Sequence, residues 1–271
     1  MTQSWSCRCW KLKFASVLAI IEALAFSGNW AFAQITPDGT LRVESSVVQH
    51  SGSSYVIEGG ATRGSNLFHS FEQFSVPANG VVLFNNRPAI QNIISRVTGS
   101  SVSNIDGLIR ANGTANLFLL NPNGIIFGPN ASLNIGGSFV GSTASSLKFA
   151  DGTQFSATAH PTKPLLTISV PIGLQFGPTA GEIRVQGPGA VRAPDTGLLL
   201  NRAAGLKVLP EATLALVGSN LALEGAILTT EGGQIELGSV ASSGLVSLTP
   251  INKGLFPRLW ECAHPWRHSS V

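Results

Sequence analysis

The residues best able to do chemistry are few in this sequence, and they are scattered. Between Gln34 and Leu255 there are four aspartates: Asp38, Asp106, Asp151 and Asp195. Each stands more than 40 residues from the next, and no DD or DxD pair occurs. Calcium sites and glycoside hydrolysis both need converging carboxylates. Isolated aspartates in separate turns do not supply them. His50, His69 and His160 have no nucleophile or acid at a telling spacing. Cys262, His264 and His268 offer metal-ligand atoms, but Pro265 spoils any helix that would align the two histidines. A zinc site would also need a fourth ligand. The run GGSFVGST from Gly136 to Thr143 imitates a phosphate loop, yet Ser142 stands where the lysine belongs. These residues predict a protein that is not an enzyme, with no metal and no cofactor.

Charge excludes a second class of function. The whole sequence carries net charge +3 and a pI near 9.0. Between Gln34 and Leu255, however, 12 Lys and Arg balance 12 Asp and Glu. Phosphate backbones are bound by clustered cationic faces. A neutral body therefore predicts no nucleic-acid partner.

The N-terminus reads as a signal peptide over residues 1–33. Arg8, Lys11 and Lys13 precede an apolar segment from Phe14 to Phe26, interrupted by Glu22. Ala31-Phe32-Ala33 is a small-x-small cleavage site, which places Gln34 at the mature N-terminus. Cys7, Cys9 and Cys262 all lie outside residues 34–255, as do all five tryptophans. A secreted body without cysteine has no disulfides to rely on. It needs a long continuous core.

The elements that would form that core are short strands. From Asn116 to Ser142 the text is NLFLLNPNGIIFGPNASLNIGGSFVGS. Runs of three or four apolar residues alternate with Asn121-Pro122-Asn123-Gly124 and Gly128-Pro129-Asn130. Proline presets φ at a turn's second position, and Asn or Gly accepts the positive φ that follows. From Leu206 onward, strand onsets fall at gaps of eight, seven, six and eight residues. Three such strands make a turn of about 21 residues, the scale of a parallel β-helix rung. A β-sandwich would want longer alternating strands at wider spacing.

Other segments place the ends. Thr40–Val43 and Ser54–Ile57 read as strands of a cap over the open first rung. Phe68, Phe71 and Phe74, at spacing three, predict a short helix or an aromatic staple near that cap. Leu165–Phe176 has Pro171 in its middle and predicts an edge strand or two strands, in a small sheet outside the coil. Leu198–Leu200 reads as one more strand. At Phe256 the strand pattern stops, and residues 256–271 form an atypical tail, read as the product of truncation or frameshift. The fold class is all-β: a right-handed parallel β-helix with an N-terminal cap and a small extra-helical β-sheet. Its domain spans residues 34–255.

NPNGIIFG followed by NIGG resembles the secretion domain of filamentous-haemagglutinin-like exoproteins, the two-partner secretion family. Asn66–Phe71, Phe84-Asn85-Asn86 and Ile94–Gly99, which contains Arg96-Val97-Thr98-Gly99, extend the resemblance upstream. It covers roughly Gln34 to Leu255. The resemblance implies export through the general export machinery and the periplasm. Recognition by an outer-membrane β-barrel transporter with periplasmic domains would follow. The chain would end secreted or at the cell surface, as part of an adhesin or haemagglutinin. It also implies that Asn121, Pro122, Asn123, Gly124 and Ile125 form the secretion motif. Some members carry a second NPN turn upstream; the nearest text here is Asn85-Asn86-Arg87-Pro88, which departs from it. The rival class is a stand-alone surface module that binds a host or neighbouring-cell glycan.

Overall fold

Short apolar runs separated by turn residues fold here as short strands; those of the coil stack in parallel, and those of the outer sheet and the N-terminal cap pair antiparallel. The computed structural model describes residues 34–158, 165–187, 189, 194–196, 205–251 and 254–258. All lie within the unit that begins at Ala33. The expected cleavage residue Ala33, the Leu198–Leu200 run, and His160, Cys262, His264 and His268 lie outside the described residues.

The chain coils through three faces. The first and longest runs Asn66–Phe74, Asn92–Val97, Asn116–Leu120, Phe139–Ser142, Thr213–Gly218 and Gln234–Ser239, all parallel. The second stacks Ser103–Ile105, Ile125–Phe127, Ile183–Gln186 and Leu221–Glu224. The third stacks Ser54–Gly59, Val81–Phe84, Leu108–Ala111 and Ser132–Asn134. A separate pair, Leu206–Lys207 with Leu228–Thr229, belongs to the later turns. This is a parallel β-helix, as the strand spacing predicts. The early turns are longer than the expected period: Asn66, Asn92, Asn116 and Ser138 stack at separations of 26, 24 and 22 residues.

The long face is buried on both sides. Leu117 and Leu119 point into the coil beside Ile93, Ile125 and Phe127. Phe118 and Leu120 point outward and pack with Ile94, Leu147, Phe155 and Leu174. A strand buried on both faces reads as a continuous apolar run rather than an alternation. This is why Leu117–Leu120 has no polar residue. The outer layer is the expected extra-helical sheet. It is antiparallel, in the order Gln154–Ser156, Ser146–Phe149, Pro171–Phe176, Gly244–Ile251, Gly254–Arg258.

Four expectations are corrected. Phe68, Phe71 and Phe74 lie on one nine-residue strand, not on a helix or a loose staple. The pairing with Ile35–Pro37 skips Glu72, so a bulge there turns both Phe71 and Phe74 inward. Residues Arg42–Glu44 form a 3-10 turn rather than part of a strand, with Arg42 at φ +56°. Pro171 begins a single strand at the centre of the outer sheet, not at its edge. First position in a strand is one place where a missing N–H costs no ladder bond. Phe256–Arg258, assigned from sequence to the tail, continue the outer sheet's last strand.

Candidate functional site

The Asn121–Gly124 corner joins the strand Asn116–Leu120 to Ile125–Phe127, and it is bonded to the turns above and below. Asn121 is fully buried. Its Nδ2 donates to the Ser101 carbonyl and the Ser103 hydroxyl, both at 2.9 Å, in the preceding turn. Its Oδ1 accepts from the Asn123 backbone N–H and from Asn123 Nδ2, each at 3.0 Å. Its own N–H donates to Ser142 O in the following turn. Pro122 O accepts from Gly181 N at 2.7 Å, another link to the following turn. Gly124 takes φ +131°, and a Cβ there would sit 3.1 Å from Glu182 O. Ile125 is buried in the coil, in register with Ser103 and Ile183. Asn123 is exposed, and its Nδ2 donates to Gly99 O at 2.7 Å.

That last bond ties the corner to Arg96-Val97-Thr98-Gly99. Arg96 is fully buried. Its Nε donates to Ser70 Oγ at 2.7 Å and its Nη2 to Thr40 Oγ1 at 2.8 Å. Its Nη1 donates to Ser156 O, and the guanidinium lies 4.1 Å from the centre of the Phe155 ring. Ser70, Thr40 and Thr98 hydroxyls in turn donate to Asp38. Burial pushes the Arg96 pKa down to about 10, opposed by the charge of Asp38. Burial pushes the Asp38 carboxyl up, but hydrogen bonds from Ser70, Thr98 and Thr40 outweigh it and hold the pKa below the usual range. The network thus joins the N-terminal cap, the long face and the outer sheet.

Asn85 and Asn86 occupy an equivalent corner on the other side of the coil. Asn86 Oδ1 accepts from Asn112 N at 2.9 Å, and its Nδ2 donates to Asn112 O at 3.0 Å. Asn85 bridges Glu58 and Asn112. The two motifs are not brought together; each welds its own corner to a neighbouring turn. The remaining candidates are also apart. Asp106 accepts from Asn130, and Asp151 is held at about 2 by hydrogen bonds from Thr167 and Thr153. Among the described residues no three His, Cys, Asp or Glu side chains are grouped to hold a metal. Phe139–Ser142 of the loop-like GGSFVGST is a long-face strand, with Ser142 Oγ bonded to Val217 O.

A ladder of asparagines is absent from the sequence reading. Asn92 Nδ2 donates to Asn66 Oδ1 at 2.9 Å, and Asn116 Nδ2 donates to Asn92 Oδ1 at 3.0 Å. Asn66 Nδ2 ends the ladder on Thr167 O and Ser169 O. Asn116 Oδ1 accepts from Ser138 N. The available signal was a repeated strand opening: Asn66-Leu67-Phe68, Asn92-Ile93-Ile94 and Asn116-Leu117-Phe118.

The family described as the TPS secretion domain matches residues 33–256. The chain belongs to this two-partner secretion family. Its members are secretion domains recognised by a partner transporter. Among solved structures, the HMW1 secretion domain from Haemophilus influenzae is 20% identical with a TM-score of 0.48, covering 81% of this chain. This chain spans 46% of the HMW1 chain, about half its length. A filamentous hemagglutinin secretion domain is 14% identical with a TM-score of 0.37, covering 76% of this chain and 99% of that one. No match is found among curated proteins.

Proposed function

We propose that this secretion domain is delivered by its signal peptide, cleaved between Ala33 and Gln34, into the periplasm. There it engages an outer-membrane β-barrel transporter, and the Asn121–Ile125 corner closes only as the β-helix forms outside. The observation that carries this reading is the complete burial of Asn121. Its side-chain amide is occupied by Ser101, Ser103 and Asn123, so the folded coil presents none of it to a partner. A transporter that reads Asn121 must do so on an open chain. β-Augmentation, in which an extended segment adds to a sheet edge, suits such a chain. Once closed, the corner clasps the second turn to the third.

The test measures two quantities on Asn121→Ala and Asn123→Ala: melting of the purified protein, and the amount reaching the medium with the transporter present. Secretion lost while stability is kept supports reading of the open chain or nucleation at this corner. Equal falls in both make the residues structural only. Normal secretion of the double variant sinks any special role.

A further inference from the structure

Three asparagines of the chain precede glycine: Asn79, Asn112 and Asn123. Glycine has no Cβ to keep its peptide nitrogen away from the preceding side chain. That nitrogen can therefore attack the asparagine Cγ. A bond forms from the glycine N to Cγ, and the Cγ–Nδ2 bond breaks. Ammonia leaves, taking the proton displaced from the glycine N. Water then opens the cyclic imide at one of its two C–N bonds, which gives aspartate or isoaspartate.

The fold treats the three pairs differently. At Asn123 both reacting nitrogens are tied. Nδ2, the leaving group, donates to Gly99 O at 2.7 Å and to Asn121 Oδ1 at 3.0 Å. Gly124 N, the nucleophile, donates to Asn121 O at 3.1 Å. Ring closure also requires the peptide between them to rotate, and it lies against Gly181 of the following turn. A Cβ on Gly181 would sit 2.7 Å from Gly124 N. Asn112 is held through its side chain, with Nδ2 donating to Asn85 Oδ1 at 3.0 Å and to Asn86 O at 3.4 Å. Asn79 is the contrast. It is exposed, at φ +61°. Its side chain makes no hydrogen bond among the described residues. Only Gly80 N is engaged, with Pro77 O at 2.9 Å.

We propose that Asn123 is a deamidation site that the closed corner shields and the open chain exposes, so that a secretion domain held open loses the corner that folding would have closed. Aspartate at this position would turn a carboxylate, in place of a donor, toward Gly99 O and Asn121 Oδ1. Isoaspartate also inserts a methylene into the main chain between Leu120 and Ile125. Those residues stand in fixed register with Ser142 on one face and with Ser103 and Ile183 on another. One extra backbone atom cannot satisfy both registers. The consequence for export rests on the reading that the transporter takes an open chain. The chemistry at Asn123 does not, and its test contains no transporter.

The full chain is incubated at one mildly alkaline pH, folded in buffer and unfolded in guanidinium chloride. Peptide mapping by mass spectrometry follows aspartate and isoaspartate at positions 79, 112 and 123 with time. In guanidinium all three asparagines should convert at similar rates. In the folded chain Asn79 should still convert, while Asn123 slows at least about tenfold, because reaction there waits for local opening. Equal rates at Asn123 in the two states overturn the proposal. So does an Asn79 as well protected as Asn123 in the folded chain, since the shielding would then not come from the corner. The aged, unfolded chain is finally diluted into native buffer. Isoaspartate at position 123 should accumulate in the fraction that fails to refold. The same content in the refolded fraction would show that the corner closes regardless, and would overturn the proposed loss.

Discussion

Asn123 Nδ2 donates to the carbonyl of Gly99 at 2.7 Å, which joins the most recognisable turn in the sequence to the end of the strand that carries Arg96. The bond sits over the deeper contacts of Asn121, so one corner has an exposed latch and a buried one. The two should differ in cost. Asn121→Asp keeps the acceptor for Asn123 N but turns the Nδ2 donor into an acceptor facing Ser101 O. A buried polar group left unpaired costs about 1–3 kcal/mol, and more when charged. Asn123→Asp, at the surface, should cost well under half as much. Urea unfolding of both variants gives the comparison; equal losses would mean Asn121 is not buried as described.

Gly124 adopts φ +131°, and a Cβ would approach Glu182 O at 3.1 Å. Gly124→Val therefore combines backbone strain with a clash against the following turn, at roughly 1–3 kcal/mol. Gly52 also has positive φ, +57°, but nothing within 4 Å of a Cβ. Gly52→Asn should be close to neutral, since asparagine tolerates the left-handed region. Thermal melts of the two variants separate conformational strain from crowding.

The turn at Asn121–Gly124 is legible in the sequence because proline, asparagine and glycine act locally. The β-helix is legible because strand onsets recur at a spacing set by the rung. The Asn66–Asn92–Asn116 ladder and the Arg96 network are not legible in the same way. Their partners lie 24 to 60 residues apart, at distances fixed only once the register of the coil exists. Phe68, Phe71 and Phe74 mislead for a related reason. Their spacing imitates a helix, but a bulge at Glu72, imposed by pairing with Ile35–Pro37, re-aims the strand.

Arg96 is the residue on which three layers converge. Arg96→Met would leave Ser156 O and the hydroxyls of Ser70 and Thr40 short of a donor, and would leave Asp38 without a compensating charge. Removing one member of a buried charged network costs about 3–5 kcal/mol. Arg96→Lys should also destabilise, because one ammonium cannot reproduce the fork to three partners. Chemical denaturation measures both. A loss below ~1 kcal/mol in Arg96→Met would show the network to be incidental.

His69 makes the stability of the coil depend on pH. It is buried between Phe71 and Phe84, with Ser46 Oγ 2.9 Å from Nδ1. Burial pushes its pKa down to about 3, from an ordinary value of 6.5. The unfolded chain therefore takes up a proton at higher pH than the folded one. The stabilising contribution of the neutral ring is complete above pH 6.5 and is lost as pH falls from there toward 3. Between pH 7 and pH 5 the expected loss is about 2 kcal/mol, from ~1.4 kcal/mol per pH unit below the unfolded pKa. Asp38, with its lowered pKa, adds to the loss only as pH falls below the ordinary carboxylate range. The check is the shift in urea midpoint between pH 7 and pH 5, in the parent chain and in His69→Phe. The variant removes the titrating ring while keeping an aromatic in the core, so most of the pH-dependent shift should vanish. A shift of the same size in the variant would show that other groups set the acid sensitivity of the fold.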